Sequence, residues 1–327
     1  MKSFEVGVLL LVLVLPGCKS GGSGAGDGNI QVVATVGMVA DLVRNVGGEH
    51  VTVTQICGSG VDPHLYKPTS DDVHAIIDAD VVFYCGLRLE GKMSDTLEKV
   101  GRTKPVVAVA EGIDPSKLMS AGVGGQAALE HGDPHVWNDI SMWSQCVDVI
   151  RDELSTFDPQ HAEEYQANAA ALSDQLAALH RWGVETVATI PAESRLLVTS
   201  HDAFNYFGRA YGLEVQGVQG ISTESEAGLQ RINGLVDLLI ERHVGAVFIE
   251  SSVSAKNIEA LIEGAQSKGH SVAIGGELYS DAMGPSGTYE GTYIGMLDHN
   301  LTTAALALGG QVDAGGFQGK LRTEAKH

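Results

Sequence analysis

The sequence predicts an α/β protein of two doubly wound lobes joined by one long, rigid helix. Three observations carry that expectation. Short apolar runs alternate with amphipathic stretches of helical period through both halves of the chain, as βαβ units around a parallel sheet require. At 327 residues the chain is longer than one typical domain and suits two. Between the halves, a stretch opened by Asp158-Pro159 runs towards Thr189 with Tyr165, Ala169, Leu172, Leu176 and Leu179 on one stripe and no glycine before Gly183. At about 1.5 Å per residue such a helix outreaches a single lobe and reads as a strut between two. A bundle element within one domain is the alternative.

In chain order, Val32–Thr35 reads as a buried strand, Val39–Val46 as an amphipathic helix ended by Gly47-Gly48, and Val51–Ile56 as a second strand. Ser70 is expected to cap a helix whose first turn carries Asp71 and Asp72. Val81–Tyr84 and Val106–Val109 are further strands around a helix near Met93–Val100, and a helix is expected from Ser141 to Phe157. After Pro191 the alternation restarts. Strands are expected at Arg195–Thr199, Glu214–Val218, Ala246–Glu250 and Ser271–Ile274, and helices at Ala203–Tyr211, Gly228–Arg242, Ala255–Lys268 and Tyr293–Leu308. The lobes are thus expected over 30–157 and 191–327, with the joining helix over 158–190.

The beginning of the chain reads as a targeting segment. Lys2 precedes the apolar run Val6–Leu15, which is shorter than the roughly 20 residues that span a bilayer but fits a signal sequence over 1–17. It ends in Leu15-Pro16-Gly17-Cys18, which resembles a bacterial lipobox, with Pro16 an unusual occupant. Cys18 would then carry a lipid, and 18–29, rich in Gly and Ser, would be a flexible tether. This predicts an extracytoplasmic protein anchored to a bacterial membrane. Cys57, Cys85 and Cys146 remain, an odd number. Cys57 and Cys85 both end strands of one expected sheet, so a bridge between them and burial as small apolar side chains stay open.

A formal charge of −20, from 21 basic and 41 acidic residues, argues against nucleic acid and against docking on anionic lipid. Within this acidic chain the tripeptide Asp-Pro-His occurs twice, at Asp62-Pro63-His64 and Asp133-Pro134-His135. In each, proline forces the preceding Asp into extended backbone and sets the histidine on a stiff loop. Ligands of open parallel sheets sit beyond the carboxyl ends of strands. The polar residues expected there are His64, His135, His201 and Asp281. Drawn from both halves, they can meet only in a cleft between lobes. Three imidazoles and a carboxylate would suit a borderline divalent ion such as Zn²⁺, although spacing alone does not require them to converge.

Beyond spacing, several motifs resemble those of the zinc/manganese-type solute-binding lipoproteins of ABC importers. They are Gly60-Val61-Asp62-Pro63-His64-Leu65-Tyr66-Lys67-Pro68-Thr69, Asp133-Pro134-His135-Val136-Trp137, Ser200-His201-Asp202-Ala203-Phe204, Ile221-Ser222-Thr223-Glu224-Ser225-Glu226, Phe248-Ile249-Glu250-Ser251-Ser252 and Tyr279-Ser280-Asp281-Ala282-Met283-Gly284. The likeness runs in order from Ile30 to Leu308. It implies two lobes bridged by a backbone helix, one metal held by His64, His135, His201 and Asp281, and an ABC permease with its ATPase as partners. It also implies a non-enzymatic protein, expected to be a monomer. Two departures bear on the cargo. Gly112–Gly132 lacks the long His-rich loop of many zinc-specific members and offers Glu130 and His131 near its end. The third ligand position holds His201, where manganese-dedicated members usually carry Glu. Zn²⁺ is therefore the expected cargo, with Mn²⁺ or iron as the alternative.

Glu250 and His131 are candidates to orient or supplement the ligands from behind, and lobe packing is an equal reading for Glu250. Glu224 and Glu226 could face the permease by the same likeness. The remaining histidines, including His74, His161, His180, His243 and His299, read as surface or packing residues. Two rival functions fit the residues less well. A zinc metallohydrolase would need an open coordination position and shows neither His-Glu-x-x-His nor Gly-x-Ser-x-Gly. An adhesin-like surface protein would use the metal for stability alone.

Overall fold

In a computed structural model, residues 28–120 and 132–321 are described. Strands β1 (Ile30–Ala34), β2 (Val51–Gln55), β3 (Val81–Tyr84) and β4 (Val106–Ala108) form one sheet in the order β2-β1-β3-β4, and every pairing is parallel. In the second half β5 (Leu196–Thr199) pairs in parallel with β6 (Glu214–Gly217), and β7 (Ala246–Glu250) with β8 (Ala273–Leu278). β5 also runs beside β7.

Helices cover these sheets because the strands β1, β3, β5 and β7 are largely apolar on both sides. In β5, Leu196 and Val198 face a cluster with Leu235 and Leu239 of α8 (Leu229–Glu241) and Ile258 and Leu261 of α9 (Lys256–Ser267). The intervening Leu197 points the other way, into a cluster with Phe204, Phe207 of α7 (Asn205–Tyr211) and Leu301 of α10 (Tyr293–Ala307). That second cluster continues without interruption into the first half, through Val33, Phe83, Trp137 and Trp143.

The long helix α6 (Ala162–Ala188) buries the expected stripe of Tyr165, Ala169, Leu172, Leu176 and Leu179. It packs on α1 (Gly37–Gly47), α4 (Ile140–Trp143) and α5 (Gln145–Phe157) from the first half and on α7 and α10 from the second. At Gly183 the approach is close. A Cβ there would lie 2.8 Å from a Leu301 methyl and 3.1 Å from the Tyr211 ring.

Several boundaries differ from expectation. The cap of α2 (Ser70–Asp78) is Thr69, not Ser70, because Thr69 and Asp72 cap each other's backbone N–H in a reciprocal box. The helix expected over 141–157 breaks at Ser144, where Asp139 caps a short first piece. Asp158 does not open α6. Its carboxylate instead accepts from His161 at 2.5 Å and from the Tyr165 hydroxyl at 2.8 Å, and the helix begins at Ala162. Cys57, Cys85 and Cys146 are all free and buried, so the apolar reading of the first two holds and the bridge does not form. The segments carrying Cys18 and His131 lie outside the described residues.

Candidate metal centre

Each of the four candidate residues follows a strand or returns to the end of one. His64 lies on the loop between β2 and α2, and His201 two residues beyond β5. Asp281 follows β8, and Glu250 is the last residue of β7. His135 sits on a loop far in sequence from β4, but Pro134 brings it to the end of β3, with its carbonyl 3.9 Å from Cys85 Sγ. All four side chains therefore meet at the carboxyl ends of the strands, where such sheets bind their ligands.

They converge closely. His135 Nε2 lies 3.2 Å from His64 Nε2 and 3.4 Å from His201 Nε2. Asp281 places Oδ2 at 3.2 Å from His201 Nε2 and 3.8 Å from His64 Nε2, and Oδ1 at 3.4 Å from His135 Nε2. His64 is 7% exposed, Asp281 1%, and His135 and His201 are fully buried. Neither Asp281 oxygen has a hydrogen-bond partner among the described residues. Buried carboxylate oxygens without partners are costly, and a cation among the imidazoles would satisfy both.

Behind the converging side chains, carboxylates fix two of the rings. Asp133 Oδ1 accepts from His135 Nδ1 at 2.7 Å, and Glu250 Oε2 lies 2.5 Å from His201 Nδ1. Each contact turns the Nε2 lone pair towards the centre. Glu250 Oε1 also accepts the His201 backbone N–H at 2.8 Å. Glu250, one of the candidates from the sequence, thus touches His201 twice. The part of Asp133 was missed, although an acid two residues before a candidate ligand on a proline-stiffened turn was a usable signal.

Burial pushes the His64 pKa down to about 4, and its imidazole neighbours add to the effect. Burial also disfavours charge on His201, but Glu250 and Asp281 on either side outweigh it and hold its pKa well above the ordinary value. Asp281 is likewise disfavoured by burial, yet the imidazoles of His201, His135 and His64 hold its carboxyl well below the usual carboxylate range.

Loops from both halves are cross-tied around this centre. Trp137 Nε1 donates to the Ser280 carbonyl at 2.8 Å, and Asn138 to the Ala203 carbonyl at 3.0 Å. The Tyr206 hydroxyl donates to the Asp133 carbonyl at 2.9 Å, and that of Tyr293 to the Trp137 carbonyl at 2.7 Å. Near the rim, Thr223 Oγ1 donates to Asp62 Oδ2 at 2.5 Å, and Lys92 pairs with Glu224.

A nitrogen-rich donor set closed between two α/β lobes is the mark of a solute-binding protein for metal ions. Comparison with known proteins gives the family. Residues 32–307 match the family described as zinc-uptake complex component A, periplasmic. The manganese-binding lipoprotein MntA of Bacillus subtilis is 50% identical over 302 residues, 92% of this chain and 97% of that protein. The zinc-binding protein TroA of Treponema pallidum is 44% identical over 286 residues, 87% of this chain and 90% of that protein. The solved structure of that periplasmic zinc-binding protein superposes with a TM-score of 0.82 at 43% identity, covering 86% of this chain and 99% of the other. The chain belongs to this family of metal-binding, substrate-binding components of ABC importers, which are not enzymes.

Proposed function

We propose that this protein captures a divalent transition metal outside the cytoplasm and passes it to an ABC permease and its ATPase, with zinc as the main cargo. His64, His135, His201 and Asp281 are the ligands in this reading, and Asp133 and Glu250 orient two of the rings. The observation that carries it is the buried convergence of three imidazole nitrogens on a carboxylate with both oxygens unpartnered. A nitrogen-rich set of low coordination number favours zinc over harder ions. The lobes over 30–157 and 191–327, the joining helix over 158–190, the lipid on Cys18, the membrane anchoring and the monomeric state belong to the same proposal. Among the described residues no helix is long and apolar enough to cross a membrane.

A manganese cargo is the second reading. It is favoured by the Bacillus subtilis relative, whose name states manganese binding, and by Asp281, which offers two oxygens rather than one. Zinc binds more tightly than manganese at nearly any nitrogen-containing site, so affinity alone does not decide. The test is metal uptake in cells lacking their own importer, with competitive titration of wild type and His201→Glu beside it. Wild type should restore zinc uptake, and the substitution should narrow the zinc-to-manganese affinity ratio by weakening zinc. Restoration of manganese uptake without zinc uptake would overturn the zinc assignment.

A further inference from the structure

We propose that a second, weaker site for a divalent transition metal such as zinc lies on the surface, formed by Glu49, His50 and Glu164. The three residues bring one ligand atom each within 4.8 Å of the others, at the junction between the end of α1 and the first turn of α6. His50 Nε2 already lies 2.9 Å from Glu164 Oε2.

What separates this group from an ordinary run of surface acids is that its imidazole is held in place. The His50 ring stacks on His161 with centroids 3.8 Å apart and planes 16° from parallel, and it meets the edge of Tyr165 at 5.9 Å. His161 and Tyr165 are both hydrogen-bonded to Asp158, which is itself buried. One buried carboxylate thus sets two rings, and those rings set the third. The dipole at the start of α6 disfavours a cation, and Glu49 and Glu164 offset it.

The chemistry differs from that of the cleft. One nitrogen and two carboxylates, with water completing the shell, still suit a borderline ion. Exposure makes the site weaker, because Glu164 is more than half exposed and its charge is screened. None of these residues belongs to the cleft set. A bound ion would bridge the turn after α1 to α6 and so fasten the first half of the chain to the long helix.

The test uses the full chain and zinc alone. Wild type, His50→Ala and Glu164→Gln are titrated against a chromophoric zinc indicator, and their melting temperatures are followed once the cleft is saturated. Wild type is expected to bind a second, weaker equivalent, and each variant to bind that equivalent about tenfold or more weakly while keeping the first. Further zinc should raise the melting temperature of wild type and not of the variants. A second equivalent retained by both variants, or a wild type that binds one equivalent only, overturns the proposal. Absence of the first, tight equivalent would instead count against the cleft ligands.

Discussion

Asp62-Pro63-His64 and Asp133-Pro134-His135 start alike and end differently. In both, the aspartate side chain accepts the histidine's own backbone N–H, at 2.8 Å in the first and 3.0 Å in the second. The shared tripeptide therefore writes the same local turn twice. Around His135 that turn is tied into the second half of the chain by Tyr206, Trp137, Asn138 and Tyr293, and Asp133 also fixes the ring nitrogen. Around His64, Asp62 gives its second oxygen to Thr223, and among the described residues no carboxylate is hydrogen-bonded to the ring. One loop is part of the frame; the other lies at its rim. Local sequence sets the turn, and the surroundings decide how firmly each histidine is held.

The largest expected effect tests that asymmetry directly. His135→Ala and Asp281→Ala should each weaken zinc by well over about 100-fold, more than loss of an outer partner costs. His64→Ala should cost less, because water can reach the rim and take its place. Chelator competition on the three proteins checks the order. Equal losses would mean that the two loops are equivalent.

The carboxylates behind the rings come next. Glu250→Gln keeps the shape but lets an amide donate to His201 Nδ1, which favours the tautomer with its proton on Nε2 and no lone pair for the metal. About 10- to 100-fold weaker zinc binding is expected. Asp62→Asn, which leaves no ring nitrogen misdirected, should cost less than about tenfold. If the two substitutions cost the same, ring orientation is not what Glu250 provides.

Protons give a third test. Sandwiched between Glu250 and Asp281, His201 has its pKa held well above that of a free histidine, whereas burial pushes that of His64 down to about 4. Zinc should therefore displace about one proton at pH 7, which titration in buffers of different ionisation enthalpy measures. Stability should follow the same groups in opposite senses. The contribution of His201 is complete below the free-histidine value of about 6.5 and is lost as pH rises through its own raised pKa. Between about 6.5 and about 4 the unfolded chain takes up a proton that folded His64 refuses, so that contribution falls with falling pH. Zinc uptake without proton release at pH 7 would contradict the assignment for His201.

The smallest effect concerns the rim. Thr223→Val removes the hydrogen bond that ties Asp62 to the other half, worth about 1 kcal/mol. Zinc should leave about five times faster, with the equilibrium stability of the fold nearly unchanged. An unaltered dissociation rate in stopped-flow chelation would show that the His64 loop needs no such tie.

Much of this was readable from residue order. Alternating strands and helices and the buried stripe of α6 follow from local pattern. The rule that sheets bind at their carboxyl ends offers His64, His135, His201 and Asp281 as candidates, and the family resemblance implies that they converge. What escaped depends on approach between distant elements. The last strand was expected over Ser271–Ile274 because Val272 and Ile274 look like strand residues, yet it runs through Gly275 and Gly276 to Leu278. Those glycines fit there because α10 comes so near. A Cβ on Gly275 would lie 2.9 Å from that of Ala307, and one on Gly276 only 2.4 Å from a Thr303 methyl. Glycine in a strand speaks of its neighbours, which a linear pattern does not record. The tie of Asp62 to Thr223 escaped for the same reason.

The apolar interior that runs unbroken from Val33 to Leu301 has a calorimetric consequence. With α6 packed on α1, α4 and α5 from one half and on α7 and α10 from the other, neither half can melt and leave the other's interior dry. Heating should give a single endotherm, its van't Hoff and calorimetric enthalpies equal, although the chain has the length of two domains.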